Sequence, residues 1–195
     1  KCLETLENFY SALSQKSVRY DNKSIQVMAK KIVSDWVNIS RYLQFQINGK
    51  IQEDKVHLQA FNTAVFAVSI AKHFEFPDSI IELLAEAGFL FNIGISRVDK
   101  AILQKSGKLT HEELLTIRKY SLYSSNIIKS FTEPPKYLDR IIPQITEACD
   151  GSSFPRGFTR FQIHPFARII SAANTYCAMI AKRSYRDAKI PAMAL

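Results

Sequence analysis

Apolar positions along the chain recur mostly at intervals of three and four, the spacing of one face of an α-helix. Glu4 to about Lys16 predicts a first helix. Ile25, Met28, Ile32, Trp36, Ile39 and Leu43 then form one stripe, which predicts a single helix of roughly five turns with Lys30, Lys31, Asp35 and Arg41 on its other face. Asn48-Gly49 breaks the pattern. From Lys55 to Phe74 the chain is apolar on most sides, as expected of a buried central helix. Phe76-Pro77-Asp78 stops it, and Asp78 is placed to cap the next helix, which carries Ile80, Ile81, Leu84, Ala87 and Phe91. Thr110 followed by Glu113 is a capping box for a helix running to about Phe131. Pro134-Pro135 separates it from a helix around Leu138 to Ala148, in which Pro143 predicts a kink. A loop containing Gly151, Pro155 and Gly157 follows, and Pro165 suits the first turn of a last helix ending near Lys182. The pattern is all-α, with roughly seven or eight helices and no internal repeat.

The length of 195 residues suits one large domain with a helical lead-in over residues 1–50 and a main domain over 51–195. The lead-in is read either as a dimerising element or as helices lying on their own core. No window approaches about 18 uninterrupted apolar residues, so no membrane span is expected. Cys2, Cys149 and Cys177 are scattered and odd in number, which fits reduced thiols and a cytoplasmic setting better than a disulfide framework. The net charge of +8 comes from basic residues spread along the chain, without a stripe interleaved with aromatics. A solvated surface accounts for it, and nucleic-acid binding is not expected.

Four fragments carry the chemistry. They are Phe91-Asn-Ile-Gly-Ile95, Lys105-Ser-Gly-Lys-Leu-Thr110 with Glu113, Asp150-Gly-Ser-Ser-Phe-Pro-Arg-Gly157, and Arg168-Ile-Ile-Ser-Ala-Ala-Asn-Thr-Tyr-Cys-Ala-Met179, followed by Arg183-Ser-Tyr-Arg186. In this order they resemble the HD-GYP domain, a bacterial helical bundle whose members hydrolyse cyclic di-GMP. That family writes the fragments as His-Asp-Ile-Gly-Lys, Lys-Pro-Gly-Lys-Leu-Thr, Asp-Gly-x-Gly-Tyr-Pro and a helix with a metal-binding Asp. The resemblance spans about Ser17 to Leu195 and implies an HD-GYP-like bundle of bacterial signal transduction whose last helix is cut short. A receiver or membrane sensor before Lys1 is expected with it.

The resemblance also implies where metals would bind. Known members hold iron or manganese through imidazoles and carboxylates. These metals lower the pKa of a bridging water and clamp the scissile phosphate. Carried over position by position, the ligands fall on Gln59, Phe91, Asn92, Tyr120, Ile145, Thr146 and Asn174, and the lysine after the His-Asp pair falls on Ile95. Phe91 and Ile145 offer no lone pair, the amides are neutral, and a phenol with a pKa near 10 would have to ionise. The expectation is a degenerate domain: no enzyme, no metal, no cofactor, and an old pocket turned into core.

Other residues do not rebuild such a site by spacing. His57 lies two positions from Gln59, so it points about 200° away on a helix. His73, His111 and His164 occur singly, while Glu147, Cys149 and Asp150 form a polar trio that a zinc site with Cys177 would need. Three functions therefore compete. One is a non-catalytic module that binds another protein, with Tyr10, Tyr123 and Phe158 as exposed contacts. A second is a receptor that holds cyclic di-GMP through Lys105, Lys108, Arg156, Arg183 and Arg186. The third is a metal-dependent phosphohydrolase with an atypical site.

Overall fold

A computed structural model describes residues 1–13, 20–47, 55–105 and 107–181. The chain is all-α. Its helices are α1 (Cys2–Leu13), α2 (Lys23–Ser34), α3 (Trp36–Ile47), α4 (Val56–His73), α5 (Asp78–Leu90), α6 (Lys100–Leu103), α7 (His111–Arg118), α8 (Tyr120–Lys129), α9 (Leu138–Ile141) and α10 (Pro165–Ile180). Two 3₁₀ turns, Ile93–Arg97 and Ile142–Thr146, interrupt the succession. The only pairing of extended backbone among the described residues is the isolated bridge of Asp150 with Thr159.

Two compact units are formed by the described residues. One takes Lys1–Glu7, Lys23–Phe89 and the chain from Ile169 onward. Its centre is α4, where Leu58, Phe61, Ala64, Val65 and Val68 are buried on one face and Ala60, Thr63 and Ala67 widen the buried arc to more than half the helix, as expected of a sequence apolar on most sides. Ile25, Met28 and Ile32 of α2 and Ile81 and Leu84 of α5 are buried too, as are Ile170 and Ala173 of α10. The Tyr42 hydroxyl donates to Asn62 Oδ1 at 2.8 Å, and the Tyr42 ring meets Phe61 edge-on at 5.3 Å. Asp78–Arg97 has the 20-residue length and the apolarity of a membrane span, and 61% of its apolar window is buried inside the protein.

The other unit takes Asn8–Asn22 and Leu90–Arg168. Phe91, Ile93, Ile128, Leu138, Ile142 and Ile145 are buried there. Its organising contact joins the turn after α5 to α8. Ser124 Oγ accepts the Gly94 N–H at 2.8 Å and donates to the Phe91 carbonyl at 2.8 Å. A Cβ on Gly94 would lie 2.1 Å from the Tyr120 carbonyl oxygen and 2.4 Å from the Ser124 nitrogen. Only a residue without a side chain lets these two stretches of backbone meet.

Several boundaries differ from the sequence expectation. The long stripe Ile25–Leu43 is two helices, because Asp35 closes α2 through Lys31 and opens α3. Its carboxylate accepts from Asn38 Nδ2 at 2.7 Å, which favours the new start over continuation. The helix after Thr110 is also split. Lys119 sits at φ −70° and ψ −6°, with its N–H bonded three residues back to Thr116. Asp78 is the first residue of α5 rather than its cap, and its carboxylate accepts from Lys72 Nζ at 3.2 Å. Pro143 does more than kink a helix, since the chain around it winds as the second 3₁₀ turn. The Asn48-Gly49 break lies outside the described residues. The capping box is complete: Thr110 Oγ1 accepts from Glu113 N at 3.2 Å and Thr110 N donates to Glu113 Oε2 at 2.7 Å.

Two outcomes follow from these contacts. Gly94→Ala forces backbone apart from backbone, so it is expected to cost about 3 kcal/mol, the upper range for overpacking; denaturant unfolding checks this, and a loss below about 1 kcal/mol contradicts the close approach. The Lys105 ammonium and the Thr110 N–H hold the Glu113 carboxyl below its ordinary value of 4.5. A depressed carboxyl stabilises the fold above its unfolded pKa and loses that contribution as pH falls through the lowered one. Stability measured from neutral pH into the acid range should therefore decline less steeply in Glu113→Gln than in the parent chain; equal acid limbs contradict it.

Candidate functional site

The positions on which the sequence resemblance places the HD-GYP metal ligands lie in both units. In the second unit, α5 ends at Leu90 and the chain tightens into the 3₁₀ turn, which buries Phe91 and Asn92. The Phe91 ring meets Tyr120 edge-on at 6.3 Å. Asn92 Oδ1 accepts a hydrogen bond from the Tyr10 hydroxyl, which α1 brings from 82 residues away. Burial raises the Tyr10 phenol well above its ordinary pKa, so it stays a neutral donor. Tyr120 opens α8, and burial raises its phenol above its ordinary pKa as well. Ile95 lies half-buried in the turn and Ile145 is buried in the second 3₁₀ turn. Thr146 Oγ1 donates to the Phe154 carbonyl at 2.8 Å and lies 3.2 Å from Ser121 Oγ.

In the first unit, Gln59 of α4 and Asn174 of α10 are bonded to each other. Gln59 Nε2 donates to Asn174 Oδ1 at 2.7 Å. The eight positions thus hold apolar side chains, neutral amides and hydroxyls, most of them engaged with protein groups. Groups of three or more His, Cys, Asp or Glu able to hold a metal ion do not occur among the described residues. Glu147, Cys149 and Asp150 do not form the polar trio that their spacing suggested. Glu147 is buried, Cys149 is exposed, and Asp150 accepts from Ser152 N and Oγ at 3.0 and 2.6 Å. Those two bonds lower the Asp150 carboxyl from its ordinary value. Cys177, in the other unit, has its thiol pushed up to about 12 by burial.

The histidines stand apart. His57 lies in the first turn of α4, 4.0 Å from a Glu7 carboxylate oxygen. His73 stacks its ring edge-on with Phe74, and His111 is exposed in the first turn of α7. His164 Nδ1 accepts from Phe166 N at 3.1 Å; partial burial and the charge of Arg168 lower its pKa.

Of the five cations expected around a ligand, Lys105 is engaged elsewhere. Its ammonium meets both Glu113 oxygens, at 2.8 and 2.7 Å. Lys108 is exposed in the loop before α7. Arg156 is exposed on the Asp150–Thr159 loop, its guanidinium 5.3 Å from the centre of the Phe158 ring. Arg183 and Arg186 lie outside the described residues. Tyr10, Tyr123 and Phe158, expected as exposed contact residues, are half-buried instead.

The roles of two residues already named from the sequence, Tyr10 and Glu147, escaped sequence reasoning. Tyr10 carries no local signal for its bond, because its partner is remote. Glu147 carries one: a carboxylate two residues after the apolar Ile145 and before a Gly-containing loop is placed to receive that loop's N–H groups.

A profile of the HD domain matches residues 46–195. The 3'3'-cGAMP-specific phosphodiesterase 3 of Vibrio cholerae is 33% identical over 143 residues, which cover 72% of this chain and 31% of that protein. The cyclic di-GMP phosphodiesterase PA4108 of Pseudomonas aeruginosa is 24% identical over 137 residues, 70% of this chain and 33% of that protein. The chain therefore spans about a third of the length of these curated relatives. Among solved structures, the HDG"Y"P protein Bd1817 from Bdellovibrio bacteriovorus superposes with a TM-score of 0.75 at 17% identity, over 99% of this chain and 61% of that one. The expectation that the chain is no enzyme is corrected here, because the relatives that align with most of it are named as phosphodiesterases. The donor chemistry of single positions had led to that expectation. The all-α architecture, the order of the fragments and the profile match converge: the chain belongs to the HD-domain family.

Proposed function

We propose that this chain is a cyclic-dinucleotide-binding HD domain of bacterial signal transduction, degenerate at the family's metal positions, which grips the phosphodiester ring with cationic loop residues. Relatives named for cyclic di-GMP and for 3'3'-cGAMP, aligned over about 70% of the chain, support the ligand class. The single observation that carries the reading is Arg156, exposed on a loop whose backbone is held from several sides. A guanidinium meets two phosphate oxygens through parallel N–H bonds, and its planar fork fixes orientation as well as charge. Lys108 adds an exposed point charge on another loop of the same unit.

The seven positions on which the resemblance places metal ligands do not fit a cluster of iron or manganese ions. Phe91 and Ile145 supply no lone pair, and Asn92, Gln59 and Asn174 supply neutral amide oxygens that cannot offset adjacent divalent charges.

Contact with another protein is a second reading, supported by Phe161, whose ring is 96% exposed. The two readings make different demands on the same titration. Calorimetry with cyclic di-GMP and with 3'3'-cGAMP should show micromolar binding, weakened about tenfold or more in Arg156→Ala and unchanged in Phe161→Ser. Product formation, followed in the same samples, reports turnover. Failure of both dinucleotides to bind contradicts the proposal.

A further inference from the structure

Glu147 follows the second 3₁₀ turn and is only 7% exposed. A buried carboxylate is costly unless it is hydrogen-bonded. Here each oxygen receives one main-chain N–H, Oε1 from Arg156 at 2.7 Å and Oε2 from Phe158 at 3.2 Å. The two donors flank Gly157, whose φ of 64° turns the backbone so that both amides converge on one side chain. The residues so held are the pair in which the Arg156 guanidinium lies over the Phe158 ring. Neighbouring bonds fix the loop around them. Thr146 donates to the Phe154 carbonyl at 2.8 Å, and Arg160 N donates to the Cys149 carbonyl at 3.0 Å.

We infer that Glu147 is a positioning residue for Arg156: by gripping the main chain on either side of Gly157, it sets the direction of the guanidinium and its stacking on Phe158, and so prepares it for a phosphodiester. This rests on the reading of Arg156 as a phosphate-binding residue. The gain is preorganisation. An arginine on an unheld loop loses backbone and side-chain freedom when it binds, whereas here that ordering is done by the fold.

The test is a double-mutant cycle read by calorimetry with cyclic di-GMP on the whole chain: parent, Glu147→Gln, Arg156→Ala, and both together. Glu147→Gln keeps one acceptor oxygen and turns an NH₂ toward the second N–H. It is expected to weaken binding by about tenfold, and the double variant by no more than Arg156→Ala alone. Additive losses overturn the positioning role, because a residue that only maintains the fold acts independently of Arg156. Glu147→Asp, which keeps the charge but is one methylene shorter, should fall between parent and Glu147→Gln; binding as tight as the parent overturns the role of reach.

Amide exchange on the ligand-free protein gives a readout that needs no ligand. The Arg156 and Phe158 amides should be protected in the parent and exchange faster in Glu147→Gln at unchanged overall stability. Unchanged protection overturns the grip itself. Absence of dinucleotide binding by the parent removes the phosphate reading, and the positioning role with it, while the exchange result still decides whether Glu147 holds the loop.

Discussion

Ser124 joins two stretches of main chain that only a glycine allows to approach. Its hydroxyl takes the Gly94 N–H and gives its own proton to the Phe91 carbonyl, so both backbone groups of the turn are satisfied away from water. The turn is thereby seated on α8, which fixes where Phe91, Asn92, Ile95 and Tyr120 stand relative to one another. The next hydrogen bond along α8, that of Ser121 with Thr146, ties the second 3₁₀ turn to the same helix. Serines on one helix face, facing glycine and carbonyls, are the structural ground on which the rest of the site is built.

On that ground the polar residues of the site satisfy one another. Clustered carboxylates and imidazoles in a buried place would repel or go unpaired in the absence of a cation. Tyr10 with Asn92, Thr146 with the Phe154 carbonyl and, in the other unit, Gln59 with Asn174 form neutral pairs that carry no such penalty. Charge is kept where solvent or a partner offsets it: Lys105 with Glu113, Asp150 with its serine, and the exposed Arg156. Apart from Glu147, whose buried carboxylate receives two main-chain N–H groups, the charges discussed here lie at the surface, and the proposed recognition of a cyclic dinucleotide draws on the cationic loop residues there.

Much of the fold was legible because its signals are local. The apolar sequence of α4, the Thr110–Glu113 box and Pro165 at the start of α10 each act within a turn or two of themselves, and the structure bears them out. The breaks at Asp35 and Lys119 were not legible, since the apolar spacing continues across both while the backbone hydrogen bonds do not. The pairing of Tyr10 with Asn92 was hidden by 82 residues of intervening chain. Lys105 was misjudged for the opposite reason. Its partner Glu113 had already been read as a capping residue, and a carboxylate engaged in a capping box still has an oxygen to offer a nearby ammonium. The chemistry of single positions also outran what it could support. Donor chemistry at single positions was read as absence of activity, whereas relatives that align with most of the chain are named as phosphodiesterases.

In the proposed reading, internal packing and hydrogen bonding fill the positions where the family resemblance places metal ligands. Elemental analysis of the purified chain, after incubation with iron or manganese under reducing conditions and removal of loosely held ions, tests this. No stoichiometric metal is expected, and no change in thermal midpoint between metal-loaded and chelator-treated protein. One or more tightly held ions per chain, lost on replacement of Asn92 or Asn174 by alanine, would contradict it.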